Sequence, residues 1–368
     1  MILTQPVTAS PSRNIPLWTV LAPLIGGVIA LGAAVGVGGY FVILAAPGLA
    51  MGVFAATHHA ETVALRIGEP YGTLVLALAV TLLELSLVGS VMLAGHAENA
   101  ALARDTVFAT VMILLNGVVG LSLLVGGLHH RAQEFSLDGV SAALVALATI
   151  TVMTLVFPNF TETVPGPYYS ASQLGLVAVV SAVVYGAFIV TQTIGYRPLF
   201  LENEPSIELR SKPTPPSTLL AYASAGLLLL CLLVVVASAH ALAPLIAAKV
   251  AQWGAPDAIV GIIIASLVLL PEGLAALRAA RQNRLQTSLN LALGSALASI
   301  GLTIPAISIL SIFLGIKLML GIDMKSIVLL LLSLFTTTLV LRTGRTMILH
   351  GVVLLVLFVV YLFLTAVP

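Results

Sequence analysis

Residues 66–91 read RIGEPYGTLVLALAVTLLELSLVGSV, and they place one carboxylate inside an apolar run long enough to cross a membrane. That carboxylate is Glu84, and no other residue from Tyr71 to Leu93 carries a charge. At a rise of about 1.5 Å per residue, a helix would put Glu84 near the middle of the bilayer. Because an isolated charge is costly there, an ionisable residue in this position predicts a functional site.

A second stretch repeats this arrangement in the other half of the chain. Residues 259–276 read IVGIIIASLVLLPEGLAA and carry Glu272 as their one charge. The two segments align around their glutamates, LVLALAVTLLELSLV against IIIASLVLLPEGLAA. The duplication of so unfavourable a residue indicates that both glutamates serve one purpose.

The composition decides the class of protein. Hydrophobic residues make up 60% of the 368 residues and charged residues 8%, whereas charged residues make up roughly 25% of a soluble domain. The net charge of +1 gives no reason to expect a nucleic-acid partner. The single cysteine, Cys231, excludes an internal disulfide and a cysteine-based metal site. We predict an all-α polytopic membrane protein whose partner is the lipid bilayer.

Eleven apolar runs of membrane-spanning length follow one another along the chain. They cover residues 16–36, 39–58, 71–95, 106–127, 139–157, 172–194, 218–240, 257–277, 286–316, 325–341 and 349–367. With this count, eleven of the 15 Lys and Arg residues fall on the side of the N-terminus. Because cytoplasmic loops carry the excess of cations, we expect a cytoplasmic N-terminus and a C-terminus on the outside.

A polar, proline-rich loop at 195–217 divides the spans into two groups of five, at 39–194 and 218–368. Glu84 and Glu272 occupy the second span of each group. Because five is odd, the second group enters the membrane from the opposite side. This is the arrangement of an inverted repeat, whose binding site lies near the midplane. Residues 1–38 form a cytoplasmic tail and one extra transmembrane helix outside the repeat.

Two carboxylates that meet across such a repeat would hold either protons or a cation. Like charges repel in a low-dielectric site, so at least one carboxyl keeps a proton until a hard cation replaces it. Hydroxyls on the span after Glu272 are candidate ligands, because Ser295, Ser299 and Thr303 recur at four-residue steps on one helical face.

Other polar residues of both halves are further candidates. Asn116 is the most polar mid-span residue after Glu84, and Thr81 lies one turn before Glu84. Glu69, at the entrance of its span, is assigned to helix capping or gating, with a role in transport as the alternative. For the serines and Asn116, the alternative to ion binding is polar packing between helices, where Gly294 would also allow close approach.

Four stretches carry a resemblance to a known family. They are RIGEPYGTLVLALAVTLLELSLVG at 66–89, RDTVFATVMILLNGVVGLSLLVGG at 104–127, LLPEGLAALRAARQNRLQTSLNLALGSALASIGLTIP at 269–305 and LRTGRTMILHG at 341–351. The chain resembles the calcium/cation antiporter superfamily, and most closely the bacterial calcium/proton exchangers of the ChaA type within the CAX group.

The resemblance implies a secondary active transporter of the inner membrane that exports calcium, or also sodium or potassium, in exchange for protons by alternating access. It implies that Glu84 and Glu272 bind both the cation and the protons. Positions 23 and 27 residues after the second glutamate line the site in related exchangers, which implies Ser295 and Ser299. In the first half, the position that corresponds to Ser299 is Asn116 only if the loop after Glu84 is five residues longer than the loop after Glu272. No cofactor is implied, since the cations and protons are cargo.

The residues themselves leave two other classes of function open. A membrane-embedded enzyme would use the two carboxylates with a metal, although no His-rich cluster accompanies them in the sequence. A passive cation channel would suit acidic residues in its pore. The oligomeric state is open as well.

Overall fold

The computed structural model describes residues 15–34, 39–68, 75, 78–79, 81–86, 101–200, 215–315 and 317–367. Most of these residues are helical, and β structure among them is confined to isolated bridges. The helices are α1 (Leu17–Ala34), α2 (Gly39–Ile67), α3 (Leu102–His130), α4 (Leu137–Leu155), α5 (Ala171–Gly195), α6 (Thr218–Gln252), α7 (Ala258–Arg281), α8 (Leu285–Leu314), α9 (Met324–Leu341) and α10 (Ile348–Ala366).

Within this part of the chain, eight helices, α3 to α10, are long and apolar enough to cross a membrane. The prediction of an all-α polytopic membrane protein is thereby confirmed. Of the span predicted at 71–95, residues 75, 78–79 and 81–86 are described, and they are helical. The total of eleven spans stays a prediction, because α1 and α2 are not among these eight helices and the rest of the span at 71–95 lies outside the described residues.

Two helices are longer than hydropathy predicts. α2 continues to Ile67 instead of ending at residue 58, and α6 continues to Gln252 instead of ending at residue 240. The polar residues that lower hydropathy near the end of α2, such as His59 and Glu61, do not break a helix. The apolar run therefore ends before the helix does, and Glu61 lies inside α2.

The surface of the bundle is apolar, while its interior contains polar groups. Phe313 and Leu219 are 84% and 82% exposed, whereas Asn116 and Thr303 are fully buried. In lipid, apolar side chains face the acyl chains and polar groups find partners between helices. The burial pattern is therefore that of a protein folded in a bilayer.

α3, α7 and α8 form the centre of the bundle. In its most apolar window, 78% of α3 is buried, compared with 17% of α10 at the periphery. α7 packs against both α3 and α8. Arg104 near the start of α3 donates to the carbonyl of Gly321, beyond the end of α8, at 3.0 Å. Gln133 after α3 donates to Asn283 before α8, also at 3.0 Å, so α3 and α8 run antiparallel.

Several helix ends meet at one end of the bundle, here named the arginine-rich end, which holds Arg66, Arg131, Arg281, Arg284 and Arg345. The His130 ring contacts the carbonyl of Arg281 at 2.8 Å, and Arg345 pairs with Glu134 at 2.9 Å. Arg66 at the end of α2 donates to Thr218 Oγ1 at the start of α6, at 2.7 Å. Arg104 lies at the opposite end of α3. The cationic loops are thus segregated, as the count of Lys and Arg requires.

Candidate functional site

Glu84 lies in the helical segment 81–86 with 3% of its surface exposed. Thr303 Oγ1 on α8 lies 3.5 Å from Glu84 Oε2. The hydroxyl of Ser299 on α8 and that of Thr110 on α3 also hydrogen-bond to the carboxylate of Glu84. Glu84 Oε1 is buried without a hydrogen-bond partner, and no ion pair joins Glu84 to a described Lys, Arg or His. Hydroxyls therefore surround this carboxylate without neutralising it.

Glu272 lies in α7, directly after a proline inside the helix. Its Oε2 is buried and has no hydrogen-bond partner among the described residues. Glu272 interacts electrostatically with Glu84, so the two glutamates of the separate halves come together. Because Pro271 has no N–H, the carbonyl of Leu267 loses its helical donor and becomes available to a ligand.

Two of the three central helices, α3 and α8, depart from regular α geometry near this pair. α8 forms a π segment at Ser299–Thr303, which ends two residues before Pro305, and α3 forms one at Ile113–Val118. A π segment leaves the regular pattern of backbone hydrogen bonds and occurs frequently at functional sites. In α8 this segment holds both Ser299 and Thr303, so the irregular turn points two hydroxyls at Glu84.

A cavity of about 300 Å³ leads from this pair toward the arginine-rich end. Its inner part includes Glu272, Ser295 and Ser299, and its outer part includes residues near the ends of α2 and α5 and the start of α8. The polar lining residues are Thr57, Glu61, Thr81, Tyr185, Gln192, Glu272, Thr287, Asn290, Ser295 and Ser299. No Lys, Arg or His lines the cavity among the described residues, so its charge is negative.

The structure brings four of the sequence candidates into one region besides the glutamates. Thr81 is 6% exposed and lines the cavity with Ser295 and Ser299. Ser295 Oγ is buried and has no hydrogen-bond partner in the described part of the chain. Thr303 completes the predicted row of hydroxyls and contacts Glu84.

Asn116 lies elsewhere. Its Nδ2 donates to Ser333 Oγ on α9 at 2.9 Å, and it does not line the cavity. Its Oδ1 is buried and accepts no hydrogen bond from a residue that the structure describes. Its described contacts therefore match the alternative of polar packing between helices. Glu69 lies outside the described residues.

Two residues of the site escape sequence reasoning. Thr110 reaches Glu84 from α3, and its spacing of 26 residues after Glu84 is close to the 27 residues from Glu272 to Ser299. This similar spacing is the sequence signal that could have identified Thr110. Glu61 lines the cavity four residues after Thr57, on the part of α2 beyond the predicted span.

The prediction that Gly294 lets helices approach closely is wrong. A Cβ at Gly294 would have no heavy atom within 4 Å, because the residue faces the cavity. Gly301 is the glycine of α8 at a close approach, since a Cβ there would lie 2.7 Å from Tyr185 Cβ. Gly294 thus borders the cavity, whereas Gly301 lets α8 pack closely against Tyr185.

Chemically, the site is a cluster of oxygens with negative charge and no fixed counter-ion. Calcium takes about 6–8 oxygen ligands, including carboxylates, carbonyls and water. Glu84 and Glu272 supply four carboxylate oxygens, and the neighbouring hydroxyls supply more. The arrangement suits a hard cation, and protons on the same carboxyls would compete with it.

The sequence matches the family described as sodium/calcium exchanger protein over residues 37–194 and 223–367. It is 44% identical over 361 residues to the y4hA protein of Sinorhizobium fredii (strain NBRC 101917 / NGR234), covering 97% of this chain and 98% of the relative. It is 35% identical over 325 residues to the sodium-potassium/proton antiporter ChaA of Escherichia coli (strain K12), covering 87% of each.

Two solved structures share the fold. The native YfkE structure superposes with a TM-score of 0.69 at 17% identity, covering 95% of this chain and all of the other. The H+/Ca2+ exchanger CAX superposes with a TM-score of 0.67 at 17% identity, covering 94% of this chain and 89% of the other.

Proposed function

Since the chain belongs to the sodium/calcium exchanger protein family, whose members are transporters and not enzymes, we propose that it exchanges calcium for protons across the bacterial inner membrane. The observation that carries this proposal is the pair Glu84 and Glu272. The two carboxylates interact with each other, hydroxyls surround Glu84, and a negative cavity leads to Glu272. One divalent cation or two protons would neutralise the pair.

Each site residue has a proposed role. Glu84 and Glu272 bind the cation and carry the protons. Ser299, Thr303 and Thr110 supply hydroxyl oxygens around Glu84, and Ser295 supplies one in the cavity. Thr81 lines the path, and Asn116 supports α3 through Ser333. Glu69 keeps gating or capping as its proposed role. The transported ions are cargo, and no resident cofactor is proposed.

Sodium or potassium is the second candidate cargo. The relative ChaA, 35% identical to this chain, is a sodium-potassium/proton antiporter by name, whereas the exchanger CAX, which shares the fold, is named for calcium and protons. Two carboxylates favour one divalent cation, because it neutralises both at once. We therefore place calcium first.

The proposed cycle begins with the cavity open toward the arginine-rich end, which the positive-inside rule assigns to the cytoplasm. The cation enters the negative cavity, displaces protons and binds both glutamates. Helices of the two inverted halves, proposed at 39–194 and 218–368, then rearrange, and the cation leaves on the other side. Neutralisation of the pair permits this step, because a doubly charged empty pair is costly to enclose.

Antiparallel α3 and α8, each with a π segment, support the inverted repeat. The family matches separately over 37–194 and 223–367, which supports the same division. The linker at 195–217, the tail at 1–38 and a C-terminus on the outer face complete the proposed topology.

A panel of cations tests the function. Purified protein is reconstituted in liposomes with an imposed pH gradient, and uptake of calcium, sodium, potassium and manganese is measured together with proton release. We expect calcium uptake that requires the gradient and dissipates it. A passive channel would move calcium without a pH gradient, and a protein that moves none of these cations would contradict the proposal.

A further inference from the structure

Among the described residues, the cavity is lined by one carboxylate besides Glu272, that of Glu61, to which the proposed transport site assigns no role. It lies on α2, four residues after Thr57, and both side chains line the cavity. Glu61 is solvent-exposed although its helix packs within the bundle, because it faces the cavity. It also interacts electrostatically with Glu272.

The position of Glu61 is closer to the cavity mouth than that of Glu272. Glu61 lies six residues before the end of α2 at Ile67, and Glu272 lies nine residues before the end of α7 at Arg281. At about 1.5 Å per residue, these positions are roughly 9 and 14 Å from the helix ends at the arginine-rich end. The cation would therefore pass Glu61 before it reaches the pair.

The surroundings of Glu61 do not compensate its charge. No ion pair joins it to any Lys, Arg or His among the described residues. Arg284 lies beside the lining, where it donates to Thr287 Oγ1 at 3.3 Å. A glutamate kept only for solubility would lie on the outer surface, where its charge would not oppose that of Glu272. A second negative charge in the cavity of Glu272 is unfavourable unless a cation or a proton neutralises it.

We propose that Glu61 is a cation-recruiting residue at the mouth of the transport cavity, which concentrates the cation and directs it to Glu272. This inference rests on the proposed function. A cleft lined by one sign of charge and bounded by low-dielectric walls raises the local concentration of counter-ions. Glu61 would therefore act on the apparent affinity at the cavity face, while Glu84 and Glu272 act on transport itself.

The kinetics of Glu61→Gln test the inference. Initial rates of proton-driven calcium uptake are measured in everted vesicles over a range of calcium concentrations. We expect KM to rise by about fivefold or more with Vmax within twofold of wild type, because focusing by negative charge is worth at least that much. Glu61→Asp keeps the charge and should restore most of the affinity. Added choline chloride should reduce the difference in KM between Glu61→Gln and wild type, since salt screens the negative charge of Glu61.

Glu134→Gln is the matched control. Glu134 is a glutamate at the same end of the bundle, 71% exposed and paired with Arg345 outside the cavity. Removal of the Glu134 charge should leave KM within twofold of wild type. That result would exclude a general effect of surface charge on KM.

Two results would overturn the inference. One is a KM for Glu61→Gln within twofold of wild type, and the other is loss of uptake at all calcium concentrations by a folded variant. Both presuppose active wild-type vesicles, which separates them from a failure of the proposed function. If the wild type transports sodium instead of calcium, the same shift is expected for sodium. If the wild type moves no cation, the proposed function fails and the inference fails with it.

Discussion

The two buried glutamates have the same place in their halves but different surroundings. Glu84 is 3% exposed and faces hydroxyls from two helices, whereas Glu272 lines a cavity and follows a proline. If the two halves are inverted repeats that open alternately, as proposed, this difference corresponds to one conformation of the transporter, in which the path leads to Glu272 from one side and Glu84 is enclosed.

The first prediction tests whether the two glutamates are equivalent in function despite this difference. Glu84→Gln and Glu272→Gln should each reduce exchange by roughly 100-fold or more, because the bound cation would lose one of its two carboxylate partners, and removing one partner of a buried cation–anion pair costs about 3–5 kcal/mol. Uptake in proteoliposomes is the measurement, and size-exclusion profiles check folding. Near-normal exchange by either variant would show that the pair is structural.

The second prediction concerns the side-chain length at each glutamate. Glu84→Asp should lower the rate about tenfold more than Glu272→Asp, because a misplacement of about 1 Å is costly in a preorganised site. Glu84 sits among fixed hydroxyls, whereas the cavity lets water complete the ligands of a shorter residue at Glu272. Equal losses would mean that both carboxylates are held with the same rigidity.

The third prediction concerns the hydroxyls around Glu84. Thr303→Val should raise KM for the cation about tenfold, the low end expected for a hydrogen bond to a charged group, because the contact is long. Ser333→Ala is the control, since it removes an equally buried hydroxyl that contacts Asn116 instead of the glutamates. Concentration series of uptake measure both variants, and a similar KM in the two would remove Thr303 from the site.

The smallest expected effects concern two glycines of α8. Gly301→Ala should destabilise the protein by about 1–3 kcal/mol, because its Cβ would collide with Tyr185. Gly294→Ala should change stability by less than about 0.5 kcal/mol, since its Cβ enters the cavity. Thermal unfolding in detergent distinguishes the two. Equal destabilisation would mean that the cavity at Gly294 is closed in the membrane.

Much of this site could be predicted from the sequence, because the free energy of placing a charged residue in lipid and the periodicity of one helix do not depend on neighbouring helices. Glu84 and Glu272 are conspicuous because a charge in an apolar run is unfavourable whatever the neighbouring helices are. Ser295, Ser299 and Thr303 followed from helical periodicity, which is a property of one helix. The structure places all five residues at the pair or along the cavity.

The residues that sequence reasoning could not place depend on how helices rotate and end. Asn116 is as polar as Ser299 is, but the packing of α3 directs it to Ser333. Thr110 occupies the place next to Glu84 instead. Glu61 lies beyond the apolar run of α2, where hydropathy no longer distinguishes a helix in the bundle from a loop in water.

The sequence by itself determined the membrane environment, the helical class and the two costly carboxylates, because these depend on transfer of side chains between water and lipid. The tertiary structure alone decided which hydroxyls face Glu84, which glycine touches Tyr185 and which side of the pair is open. Those features depend on the rotation and contact of packed helices, and no periodicity within one helix specifies its orientation against another.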